Sequence, residues 1–163
     1  MKKLIILTSL VASVSGLQAG EAAFQASLTP DIAVQSKDTQ INGLCLSVWG
    51  ENPQHALALG IVNGSTGNDS MGLSWAFIAN YSDTYTGVDL GLINWSKTKF
   101  TGIQWGAVNV ANELHGLQMG WVNYAENLRG VQIGFVNVAR NNPWFTEFPD
   151  KLATGFPFVN WSF

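Results

Sequence analysis

Large apolar residues and small or amide residues alternate with period two through most of the chain, and they do so in copies. Gly102-Ile-Gln-Trp-Gly-Ala-Val-Asn109, Gly116-Leu-Gln-Met-Gly-Trp-Val-Asn123 and Gly130-Val-Gln-Ile-Gly-Phe-Val-Asn137 align without gaps, and Gly87-Val-Asp-Leu-Gly-Leu-Ile-Asn94 matches them with Asp89 in the Gln position. Looser copies start at Gly72, Ala56 and Gly43, so that consecutive starts lie 13, 16, 15, 15, 14 and 14 residues apart. Strict alternation over a stretch of this length predicts a β-strand rather than a helix. The connecting pieces, such as Val110–His115 and Tyr124–Arg129, are polar only at their centres and predict tight turns. The chain is therefore expected to be all-β, built from tandem 14–15-residue strand–turn repeats.

Charge narrows the architecture. Across the seven repeat cores the only charged side chain is Asp89, whereas an ordinary antiparallel sheet keeps one solvated, charged face. Two closed architectures fit. In an up-and-down β-barrel the large residues face lipid and the Gly/Gln face fills a narrow lumen. In a parallel β-solenoid, with one coil per repeat, the apolar residues point inward and Asn63, Asn80, Asn94, Asn109, Asn123 and Asn137 stack as a turn ladder. Trp75 and Trp105 hold the fourth template position and Phe77, Trp121 and Phe135 the sixth, and a coil this narrow has little room inside for such rings. The small up-and-down barrel is accordingly the expectation and the solenoid the alternative. Seven repeat strands, one near 152–163, and one or two within 22–36, where Pro30-Asp31 is a breaker, make nine or ten. Stacked Gln104, Gln118 and Gln132, with Asp89 in register, would form a hydrogen-bonded ladder. Asn94, Asn109, Asn123 and Asn137 are further structural candidates.

The two ends add location. Met1-Lys2-Lys3, an apolar run from Leu4 to Val14 and the small-residue stretch ending at Ala19 have the three parts of a secretory signal peptide. This divides the chain into a signal peptide, 1–19, and a single β-repeat domain, 20–163. At the other end Val159, Trp161 and Phe163 share one face of a period-two strand. That end resembles the last strand of bacterial outer-membrane barrels, which serves as their assembly signal, although Pro157 removes a ladder donor from it.

Little in the sequence points to chemistry. Only 12% of residues are charged, about half the usual share of roughly 25%. Without Lys2 and Lys3 the domain carries six basic residues against eleven acidic ones, no footprint for nucleic acid. His55 and His115 lack metal-ligand spacing to another His or Cys. His115 shares a strand face with Glu113, but the nearest serines, such as Ser96, lie in turns, so a serine–histidine–acid site is not assembled. Cys45 reads as a small apolar strand residue. The five Asn-x-Ser matches are repeat, turn or tail residues in a chain whose leader is bacterial in type. No catalytic, cofactor or metal site is expected. Of the two irregular connections, 64–70 and 141–151, the second is the longer and carries Trp144, Phe145 and Phe148, making it the candidate recognition loop.

Tandem Gly-x-Gln-x-Gly-x-x-Asn units, with the ending Pro157-Phe-Val-Asn160-Trp-Ser-Phe163, resemble the leptospiral-type surface repeat-containing proteins, most strongly over 87–137. The resemblance implies surface association and is nearly silent on activity. The functional expectation is an exported, non-enzymatic structural protein of the outer membrane or cell surface, with outer-membrane lipid and the barrel-assembly machinery as partners. The alternative is a soluble or surface-exposed solenoid acting as a binding or adhesion module, and a third reading is a lipid-modifying barrel enzyme using His115.

Overall fold

The computed structural model describes residues 20–67 and 69–163, so the expected signal peptide, 1–19, lies outside the described residues. Nine strands follow one another: β1 (Glu21–Thr29), β2 (Ile32–Ala33), β3 (Gln40–Glu51), β4 (Gln54–Ser65), β5 (Ser70–Leu90), β6 (Ile93–Trp105), β7 (Val108–Met119), β8 (Val122–Ala139) and β9 (Gly155–Ser162). They pair in the order β2-β1-β3-β4-β5-β6-β7-β8-β9. From β1 and β3 through to β8 every pairing is parallel, and only β2 and β9, at the two ends, are antiparallel.

This overturns the barrel. Among the described residues nothing pairs the first strand with the last, and an up-and-down barrel has no parallel neighbours. The alternative holds: the chain is a β-solenoid of about 7 turns. Parallel strands ordinarily need a crossover of a dozen or more residues, and here each coil is its own crossover. Asn94 pairs with Asn109 and Asn109 with Asn123, so that one circuit advances the chain by one repeat. A coil has a short segment (Ile93–Ser96), a bend at Lys97-Thr98, a longer segment (Lys99–Trp105) and a corner at Gly106-Ala107.

The solenoid interior sets amide columns beside an apolar cluster of Tyr85, Phe100, Leu114 and Leu128, while the large apolar residues of the repeat cores stand outside, which corrects the orientation expected for it. Gln104, Gln118, Gln132, Asn94, Asn109 and Asn123 are fully buried, together with Ala111, Phe100 and Leu114. Trp75, Phe77, Trp105, Trp121 and Phe135 stand outside, 59–74% exposed. The steric premise fails, since the coils hold Tyr85 and Phe100 stacked at 6.0 Å inside; the rings of the repeat cores leave the coil instead of forcing a barrel. Small residues permit the narrowness. Gly116 has φ 140°, and a Cβ there would overlap the carbonyl oxygen of Gly102 one coil below. Sheet edges, which invite pairing with other chains, are dealt with at both ends: β2 folds back on β1, and β9 runs antiparallel along β8. Asn160, on β9 opposite Gln132, covers the end of the Gln column without bonding to it: its amide donates to the Ala153 carbonyl at 2.9 Å, and Gln132 Oε1 has no partner among the described residues.

Candidate functional site

Two amide ladders hold the coils together and shape the outer surface. Gln118 Nε2 donates to Gln104 Oε1 and Gln132 Nε2 to Gln118 Oε1, each at 2.8 Å, so this ladder points its donors toward earlier coils. The Asn ladder points the other way: Asn80 donates to Asn94, Asn94 to Asn109, Asn109 to Asn123 and Asn123 to Asn137, all at 2.8 Å. Identical residues at the strand spacing of about 4.8 Å let each amide bond the next without distortion. Opposed ladder directions also set their dipoles against one another. Asp89 continues the Gln column, in register with Gln104, but Asp89 Oδ1 and Gln104 Nε2 are buried without a partner among the described residues. Desolvation pushes the Asp89 carboxyl up to about 8.

The Asn ladder also builds the corner. Asn109 Nδ2 reaches the Met119 carbonyl at 2.9 Å and Asn123 Nδ2 the Ile133 carbonyl at 3.0 Å, satisfying acceptors where the chain turns. Backbone bonds then stack corner on corner: Val108 N to Leu92 O, Trp121 N to Ala107 O, and Val136 N to Trp121 O, at 2.9–3.0 Å. Replacing Asn109 with leucine should cost about 2–4 kcal/mol, because Asn94, Asn123 and the Met119 carbonyl all lose a buried partner. Comparison of thermal midpoints by circular dichroism checks this, and a loss below about 1 kcal/mol would show that the ladder is not a principal tie.

With much of its backbone bonded internally, the corner presents mainly side chains. Val48, Ile61, Phe77, Leu92, Trp121 and Phe135 form a row along it, 41–74% exposed, and β9 adds Phe158, opposite Gly134. On the long face the row is flanked by Leu73, Trp75, Ile103, Trp105 and Ile133, and on the short face by Ile78, Ile93, Val122 and Val136, all exposed. Ala107 interrupts the row and leaves a shallow groove of about 970 Å³, walled by Phe77, Leu92, Trp105 and Trp121. Among the described residues no charged side chain lies in this apolar edge. The charges gather on the opposite edge, where Lys97 meets Asp83 at 3.1 Å, Lys99 meets Glu113 at 3.2 Å and His115 meets Glu113 at 2.8 Å. The result is an amphipathic solenoid, with edges rather than faces as its two sides.

The other sequence candidates fall as follows. Gln104, Gln118, Gln132 and Asp89 share one interior column, and Asn94, Asn109, Asn123 and Asn137 share a second. Val159 and Trp161 lie in β9, opposite Ile133 and Val131, and Phe163 follows the strand, so this segment covers the last coil and is not part of a barrel wall. The 141–151 connection keeps Trp144, Phe145 and Phe148 exposed, with Phe145 edge-on to Phe156 at 5.9 Å, so it extends the apolar surface at that end. Among the described residues no group of three or more His, Cys, Asp or Glu could hold a metal. Cys45 is buried in the Gln column beside Ala58, and desolvation pushes its thiol up to about 12. The sequence named the sixth-position rings but not their place on a corner; the glycine just before each of Leu92, Trp121 and Phe135 was the available signal. Comparison with protein-family models, with curated proteins and with solved structures returns no match.

Proposed function

We propose that the chain is a non-enzymatic binding module, exported to the cell surface, whose contact surface is the apolar edge. The observation that carries this reading is the uncovered row of Phe77, Leu92, Trp121 and Phe135 on the outside of a solenoid whose own core is already filled. Contiguous apolar patches beyond a few hundred Å² on a soluble surface mark sites of interaction. Here the fold gains nothing from the rings, since the coils are held from within by amide ladders and backbone bonds. Export rests on the apolar run of residues 4–14, and surface association accords with the resemblance to surface repeat proteins.

The test is dye binding by the folded chain. Anilinonaphthalene sulfonate should brighten on the full chain, and Trp121→Ser with Phe135→Ser should reduce the signal about threefold or more without altering the circular dichroism spectrum. A folded chain that leaves the dye dark, or a double variant that binds it equally well, would remove the edge as the contact surface.

A further inference from the structure

We infer that the apolar edge is occupied by the interfacial zone of a lipid bilayer, entered edge-on with the solenoid axis lying in the membrane plane. This rests on the edge being the contact surface, and it names the occupant from four features of the edge.

Shape comes first. The rings crown a convex corner and the apolar columns continue down both flanks, from Trp105 on one side to Ile93 and Val122 on the other. A flat protein partner would touch the crest alone, whereas fluid acyl chains close around both flanks. Depth is the second feature. From Ile103 to the corner at Gly106 is three residues, about 10 Å at roughly 3.3 Å per residue. That matches the 5–10 Å or so to which interfacial segments sink into the headgroup–acyl boundary. The next outward column, Thr101, His115 and Arg129, would then sit among headgroups.

Backbone satisfaction is the third. Unpaired N–H and C=O groups keep most loops and sheet edges out of hydrocarbon. At this corner the coil-to-coil bonds of Val108, Trp121 and Val136, and the Asn109 and Asn123 amides, occupy many of those groups. Trp105 and Trp121 are also the side chains that favour the membrane–water interface.

Charge is the fourth. It fixes the orientation and the lipid. A lengthwise span would drive Asp83, Lys97, Lys99 and Glu113 into hydrocarbon, while an edge-on approach keeps them in water. With six basic residues against eleven acidic ones beyond residue 19, the chain has no electrostatic pull toward anionic headgroups, so the surface it fits is zwitterionic.

The experiment mixes the full chain with phosphatidylcholine vesicles, separates bound from free by flotation, and reads tryptophan quenching by lipids brominated at shallow or deep acyl positions. All seven Trp lie at position 49 or beyond, so quenching reports the solenoid and not residues 1–19. The chain should float, with shallow bromines quenching more than deep ones. Trp121→Asp with Phe135→Asp should weaken partitioning at least about tenfold. Glu126→Gln with Arg140→Gln, on the opposite edge, should leave it within about twofold. Phe77→Asp with Leu92→Asp provides an independent edge variant should the first pair fail to fold.

Flotation that survives both edge variants would place binding in residues 1–19 and overturn the inference. A chain that binds the dye of the preceding test but stays in solution with vesicles would overturn the lipid while leaving the contact surface intact. A dimer in sedimentation that the edge variants convert to monomer, without flotation, would assign the edge to a second copy of the chain.

Discussion

Replacing Gln118 with arginine should unfold the central coils, at a cost of at least about 4 kcal/mol, because an unpaired charge would be buried. Gln118 is completely buried, accepts from Gln132 and donates to Gln104 and to the Tyr124 carbonyl. Guanidinium is larger, cannot accept, and would face amide donors from the coil above. The neighbouring substitution Met119→Arg is the control. Met119 points outward beside Trp105 and Ile133, where a long cation can lift its head into water, so folding in buffer should change by less than about 1 kcal/mol. Urea unfolding followed by circular dichroism reads both. A barrel in lipid would instead place a severe penalty at Met119, and equal tolerance of the two substitutions in buffer would contradict the buried amide column.

Strand content, repeat length and the division of residues between two faces were all legible, because period-two alternation encodes them directly. Even the members of the interior ladders, Gln104, Gln118, Gln132 and Asp89, could be read from the repeats. The direction of pairing, parallel or antiparallel, could not be read the same way. A hairpin and a solenoid coil both place alternate residues on one side, and Gly106-Ala107 serves as a corner in one as readily as a turn in the other. Yet the ladder itself held the answer. In an antiparallel pair at most one template position can meet its own copy, so the Gln and the Asn positions come into register together only when neighbours run parallel, as β6 and β7 do. What hid this was the assumption that a solenoid core must be apolar. Between closely stacked coils, amides bond to their own copies and need no water, so they can share the inside with Phe100 and Leu114 and release the large apolar residues of the repeat cores to the surface. The edge arises from that inversion, which explains why its rings were noticed in the sequence but assigned to a barrel wall.

Asp89 gives the second large effect, and it depends on pH. Its carboxyl is held near 8 by desolvation in the folded chain, against roughly 3.9 when unfolded. Between those values the folded state keeps a proton that the unfolded state releases, so stability is greatest below about pH 4, declines as pH rises toward 8, and levels off above. Neighbouring groups do not supply the same slope. Burial pushes the Tyr85 hydroxyl upward and the Cys45 thiol to about 12, so both remain neutral throughout that window. Asp89→Asn replaces the titrating carboxyl by an amide whose oxygen can accept from the unpartnered Gln104 Nε2, completing the ladder. The variant should match the parent near pH 4 and exceed it by roughly 2–5 kcal/mol at pH 8–9. Urea midpoints of the two proteins across this range provide the measurement. Parallel pH profiles would mean that Asp89 is ionised in the folded chain, its charge favoured by the amide donors of Gln118 and Gln132, which point along the column toward it.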